Sequence, residues 1–162
     1  MAVTVALTAA TATFTLTKNL TTNDSIKVGS RTYLIKETPS TTYDINLGAN
    51  QTATITNIVA AINQNGTAGT NYYTGTLGPG EITATASSTT LITFTSKLKG
   101  LVGNNFECRE ITDGGTAFTC GTFAGGSGEI ASSTGFIASL LSLTEVNAEV
   151  QQALKQLTYA DD

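Results

Sequence analysis

Apolar and polar residues alternate with a period of two along most of this chain, and in one short stretch the period lengthens to that of a helix. In Thr54-Ile55-Thr56-Asn57-Ile58-Val59-Ala60-Ala61-Ile62-Asn63, the residues Ile55, Ile58, Val59 and Ile62 stand at i, i+3, i+4 and i+7 and share one helical face. A helix is expected over about residues 54–65, stopped by Asn65-Gly66, with Gly66 in the left-handed position past its end. Before it, Ser25–Val28 and Arg31–Ile35 are joined by Gly29-Ser30, a two-residue hairpin signal. Tyr43, Ile45 and Leu47 alternate as a third strand. After the helix, Glu81–Ala86 and Leu91–Thr95 form a second hairpin through Ser87–Thr90. Phe106–Arg109 and Ala117–Thr122 flank the turn signal Asp113-Gly114-Gly115, which predicts a third. The expected fold is α+β and mainly β: antiparallel hairpins packed around one short helix, with a further helix at the C-terminus.

The pattern divides the chain into an N-terminal strand or arm (residues 1–21), a β-rich core module (22–126) and a Gly-rich hinge with a C-terminal helix (127–162). In the arm, Val3, Val5 and Leu7 are odd-numbered, whereas Phe14 and Leu16 are even-numbered, so the phase changes at Ala9-Ala10. Either two strands meet there or one strand carries a bulge. Val3, Val5 and Leu7 are candidates for an edge strand that pairs with a neighbouring subunit. Gly125-Gly126-Ser127-Gly128 reads as a flexible hinge. Beyond it, Ser142-Leu143-Thr144-Glu145 matches a capping box. Leu143, Val146, Val150, Ala153 and Leu157 follow with 3-4-3-4 spacing, the a/d seam of a coiled coil. Two readings stand side by side: a helix packed on its own domain, or self-association with a trimer favoured. Two heptads cannot hold an oligomer alone, so the second reading needs sheet-mediated contacts as well.

Composition narrows the chemistry. Charged residues are 12% of the 162, about half the roughly 25% of an average soluble domain. Threonine replaces charge as the group that keeps outer sheet faces wettable. The net charge is −4 and the eight Lys and Arg are scattered, which argues against a nucleic-acid partner. Apolar runs fall far short of the ~20 residues of a membrane span, and no charged and apolar leader is visible at the N-terminus. There is no histidine, so imidazole bases and the commonest metal ligand are missing. The acidic residues are isolated, and two cysteines twelve apart make no zinc site. No catalytic, cofactor or metal residues are expected. Cys108 and Cys120 would face each other across the third hairpin, either as a disulfide or as free thiols; without a secretory leader, a reducing compartment favours thiols. Tyr72-Tyr73 is either a ligand platform or a lid over the core edge.

The module resembles one that recurs in virion proteins of tailed bacteriophages. The resemblance is carried by Ile26-Lys27-Val28-Gly29-Ser30-Arg31-Thr32-Tyr33, Ile45-Asn46-Leu47-Gly48-Ala49 and Thr54–Asn63. It continues through Gly69-Thr70-Asn71-Tyr72, Ile82–Ala86, Leu91–Ser96, Gly103-Asn104 and Thr119–Gly126. Leu143–Val150 is similar to a segment of phage fibre and neck proteins, and related Val-Ala-Ala-Ile-Asn segments occur in flagellin and hook-associated proteins. Cys108 and Cys120 depart from the module. The resemblance implies a non-enzymatic structural protein located in the virion and assembled in the host bacterial cytoplasm. Its partners would be the major capsid protein or tail and neck proteins, with no membrane. No receptor-binding tip follows the last helix, so a capsid decoration (cement) protein is the role expected first. A tail, neck or fibre-anchoring component is the alternative, and a carbohydrate-binding, adhesin-like module is the alternative of another class.

Overall fold

A computed structural model describes residues 6–112 and 117–128. Ala6–Gly128 form one compact unit of mainly β structure. Its elements are β1 (Ala9–Leu16), β2 (Ser25–Val28), β3 (Arg31–Lys36), β4 (Asp44–Asn46), α1 (Gln51–Asn63), β5 (Ile82–Ala86), β6 (Leu91–Lys99), a 3-10 turn (Leu101–Asn105), β7 (Cys108–Thr112) and β8 (Phe118–Cys120). The strands form two four-stranded sheets, the first ordered β5-β6-β1-β8 and the second β4-β3-β2-β7. The expected C-terminal helix, its seam Leu143, Val146, Val150, Ala153 and Leu157, and Val3 and Val5 lie outside the described residues.

Alternation builds the core. Ala10, Ala12, Phe14 and Leu16 of β1, Ile82 and Ala84 of β5, and Ile92 and Phe94 of β6 point inward from the first sheet. Ile26, Val28, Tyr33, Ile35 and Ile45 do so from the second, and both sets join Ile55, Ile58, Ala61 and Ile62 of α1 in one buried cluster. Phe14 anchors it, its ring centroid 5.0 Å from that of Phe118 and 6.4 Å from that of Phe94. The helix face is rotated slightly from the expected one: Thr54 and Asn57 are buried, and Val59 is only half-buried.

Two of the three predicted hairpins are present. Val28 pairs with Arg31 around Gly29 (φ +57°), and Ile82 pairs with Ser96. Other expectations are corrected. β1, expected in an arm ahead of the core, is an interior strand between β6 and β8, because its even-numbered apolar face belongs to the same core. The phase change appears as a register irregularity between Ala9 and Thr11, and Leu7 is exposed and outside any strand. β4 runs parallel to β3, since the chain crosses from one to the other rather than turning back. The cysteine-bearing strands do not pair: β7 joins β2 in the second sheet, and β8 joins β1 in the first. The helix begins earlier than expected, where Asn50 accepts a hydrogen bond from Ala53 N at 2.9 Å and caps the first turn. It ends earlier too, with Gln64 rather than Gly66 in the left-handed conformation. Gly125–Gly128 is pinned instead of forming a loose hinge. Gly126 N donates to Asn104 Oδ1 at 2.9 Å, Asn104 Nδ2 donates to Gly126 O at 3.0 Å, and Thr8 N donates to Ser127 O at 2.9 Å.

Candidate functional site

The carboxylates and amides best placed for chemistry are committed to backbone. Thr21-Thr22-Asn23-Asp24 and Thr41-Thr42-Tyr43-Asp44 are the same turn built twice, ahead of β2 and at the start of β4. In each, the residue before the aspartate is left-handed, at φ 77° for Asn23 and 74° for Tyr43. Asp24 Oδ2 accepts from Thr21 N at 2.7 Å and Thr21 Oγ1 at 3.1 Å. Asp44 accepts from Ser40 N and Thr41 N, both at 2.9 Å, and from Thr41 Oγ1 at 3.1 Å. Both aspartates are buried, so these donors replace the water that a buried carboxylate loses. Asparagines act as stray peptide groups. Asn57 Nδ2 donates to Asn46 O at 2.8 Å and Asn57 Oδ1 accepts from Asn71 Nδ2 at 2.7 Å, which ties α1 to β4 and to the loop after the helix.

Asn63 closes a sheet edge. Its Nδ2 donates to Ala84 O at 2.7 Å and its Oδ1 accepts from Ala84 N at 2.9 Å. The pair occupies the outward hydrogen-bonding groups at the middle of edge strand β5, which otherwise invite another strand. At the edge of the second sheet, Asn46 N donates to Asn71 O and Tyr73 N to Asp44 O, both at 2.9 Å, so the 71–73 segment covers β4. The other two edges are β8 of the first sheet and β7 of the second, the strands that carry the cysteines.

On the outer face of the first sheet the threonines expected to keep it wettable fall into cross-strand rows, an alignment that sequence reading missed. Thr83, Thr95 and Thr11 stand opposite one another across three strands, Thr85, Thr93 and Thr13 form a second row, and Thr119 faces Thr15. These are the positions between the buried residues of each strand, and no charged residue interrupts the rows. The visible signal was threonine at every second position in three separate segments.

Charge gathers elsewhere. On β2 and the start of β7, Glu107 Oε2 meets Lys27 Nζ at 2.6 Å and Glu107 Oε1 meets Arg109 Nε at 2.7 Å. The Lys27 hydrogen bond, with Arg109 adding to it, holds the Glu107 carboxyl below its ordinary value. Around β3, Arg31 Nη1 donates to Tyr43 Oη at 2.8 Å with the guanidinium 5.3 Å from the ring centroid. Tyr33 Oη donates to Leu77 O at 2.9 Å, and burial pushes its phenol far above the ordinary range. Arg31 Nε and Glu81 Oε2 are buried without a hydrogen-bond partner among the described residues.

The predicted site residues fare differently. Tyr72 is not half of an exposed platform: it is 5% exposed, belongs to the core and donates to Gly66 O at 3.2 Å, while Tyr73 is half-buried. This overturns the platform, because a ligand-stacking ring must present its face to solvent. Cys108 is buried and Cys120 half-buried, both as free thiols, and a hydrogen bond between them together with burial pushes the Cys108 thiol up. The described residues hold no cluster of metal-ligating side chains, and no helix among them is long and apolar enough to cross a membrane. No protein-family model and no curated protein matches this sequence.

Proposed function

We propose that the chain is a non-enzymatic structural protein of a tailed-bacteriophage virion, acting as a capsid decoration protein that docks on capsomers and self-associates. The observation that carries the reading is the threonine face. Its methyl groups bury apolar area on contact and its hydroxyls retain hydrogen-bonding capacity, so it can be covered without desolvating a charge. The resemblance of the segments from Ile26 to Gly126 to virion modules adds support. So does the use of buried aspartates and asparagines as backbone ties.

The test is binding of the purified chain to intact capsids, with their thermal rupture temperature as readout. Binding and a raised rupture temperature are expected, and the double substitution Thr13→Arg and Thr93→Arg should abolish both. Surface changes of this kind alter stability by only about ±0.5 kcal/mol, so the variant's own melting serves as the control. Binding to tails and not to heads would reject the decoration role and favour the tail or neck placement. Self-association through Leu143, Val146, Val150, Ala153 and Leu157 predicts that truncation at Gly135 lowers the mass seen in sedimentation. An unchanged mass would remove that seam from the interface.

A further inference from the structure

The two thiols that no other feature uses come from different sheets. Cys108 opens β7, hydrogen-bonded to β2 at Val28, and Cys120 ends β8, hydrogen-bonded to β1 at Phe14. Each thus sits on one of the two sheet edges that neither Asn63 nor the 71–73 segment covers. The two strands lie side by side, Cys108 belongs to the buried cluster and Cys120 packs against it, and Cys120 is the neighbour that most raises the Cys108 thiol pKa. Contact between thiols brought together from two sheets is the spatial requirement for a disulfide. We propose that Cys108 and Cys120 form a redox-dependent clamp, closed by a small-molecule disulfide, which locks the β7 edge of one sheet to the β8 edge of the other.

The chemistry balances as two thiol–disulfide exchanges. Cys120 is the more accessible thiol; its thiolate attacks one sulfur of the oxidant and releases the first small thiol. Cys108 then loses its proton and attacks Cys120 Sγ, forming the Cys108–Cys120 bond and releasing the second small thiol. The two cysteines are oxidised, the oxidant is reduced to two thiols, and the chain loses two hydrogens. Burial keeps Cys108 protonated, so the second exchange is the slow one. The clamp does not depend on the function proposed above: it operates wherever the folded chain moves from a reducing to an oxidising medium.

The experiment exposes the folded full-length chain to oxidised glutathione and follows intact mass, peptide mapping and melting. The expected result is a monomer lighter by about 2 Da, from loss of two hydrogens, with one peptide linkage joining Cys108 to Cys120. Closing so short a loop should raise the melting temperature by roughly 5–10 °C, and dithiothreitol should reverse both changes. Cys108→Ser and Cys120→Ser should each abolish the rise; if either variant fails to fold, the wild-type comparison with and without dithiothreitol decides alone. A stable glutathione adduct on Cys120, disulfide-linked dimers or two thiols that stay free would each overturn the clamp.

Discussion

Asn63→Ala separates two physical effects of opposite sign. Asn63 is the last residue of α1, and judged by helix propensity alone, alanine there stabilises by up to about 0.7 kcal/mol. The structure predicts the reverse. Asn63 makes both of its hydrogen bonds to Ala84, which is 4% exposed. Truncation removes two bonds worth about 1 kcal/mol each and leaves a nearly dry N–H and C=O orphaned, at about 1–3 kcal/mol. Even after the propensity gain is subtracted, the net loss is about 2–4 kcal/mol, or roughly 6–15 °C in melting temperature for a unit of this size. Asn63→Asp should cost as much, since a carboxylate accepts from Ala84 N but sets its second oxygen against Ala84 O. Urea denaturation with an unchanged m-value measures the loss, and amide exchange at Ala84 should accelerate specifically. A variant as stable as the wild type, or more so, would refute the assignment of Asn63 as the closure of the β5 edge.

Two further outcomes follow from local geometry. In a titration followed by NMR, Glu107 should titrate below its ordinary value of 4.5, and Lys27→Met should move it upward. Because its folded value is depressed, the contribution of this ion pair is present above the ordinary carboxylate pKa and fades as pH falls through the lowered one; added salt should shrink it at any pH, since solvent reaches both partners. Gly48→Ala should prevent stable folding, because the added Cβ would meet Thr54 N at 2.3 Å and the Ala53 carbonyl carbon at 2.5 Å, backbone atoms of the first helical turn that cannot step aside; soluble, cooperatively melting protein near the wild-type midpoint would contradict this.

What could be read from the chain was local. The turn at Gly29-Ser30 and the alternation on either side specify β2 and β3, and the same logic yields β5 and β6. The helix was visible from Ile55, Ile58 and Ile62, but its beginning was not. Thr52 and Thr54 interrupt the apolar pattern, and the capping signal at Asn50 lies outside it. Partners distant in sequence were illegible. Nothing in Phe106–Arg109 or Ala117–Thr122 states that each prefers a different sheet, since a turn signal between two alternating runs looks the same whether or not they pair. Tyr72 could be read as a ligand platform or as a lid over the core edge, because Asn, Gly and Thr neighbours fix a loop but not the side its ring faces. Its burial follows from the bridge between Ile45 and Tyr72, which joins β4 to a segment on the far side of the helix in sequence. The repeated Thr-Thr-x-Asp and the alternate threonines were in plain view, yet they acquire meaning only when strands are laid side by side.

The interior position of β1 bears on how this molecule is made. Residues 9–16 are synthesised before all of their partners and must wait for them: β6 on one side, and on the other β8 and Ala124, whose carbonyl accepts from Thr11 N at 2.8 Å. β2 likewise waits for β7. The second sheet cannot close before β7 is made, nor the first before β8 and Ala124, and the apolar row of β1 stays unsatisfied until then. The module therefore closes only once its last strand is available, and β1 is the strand most dependent on prompt completion of the rest.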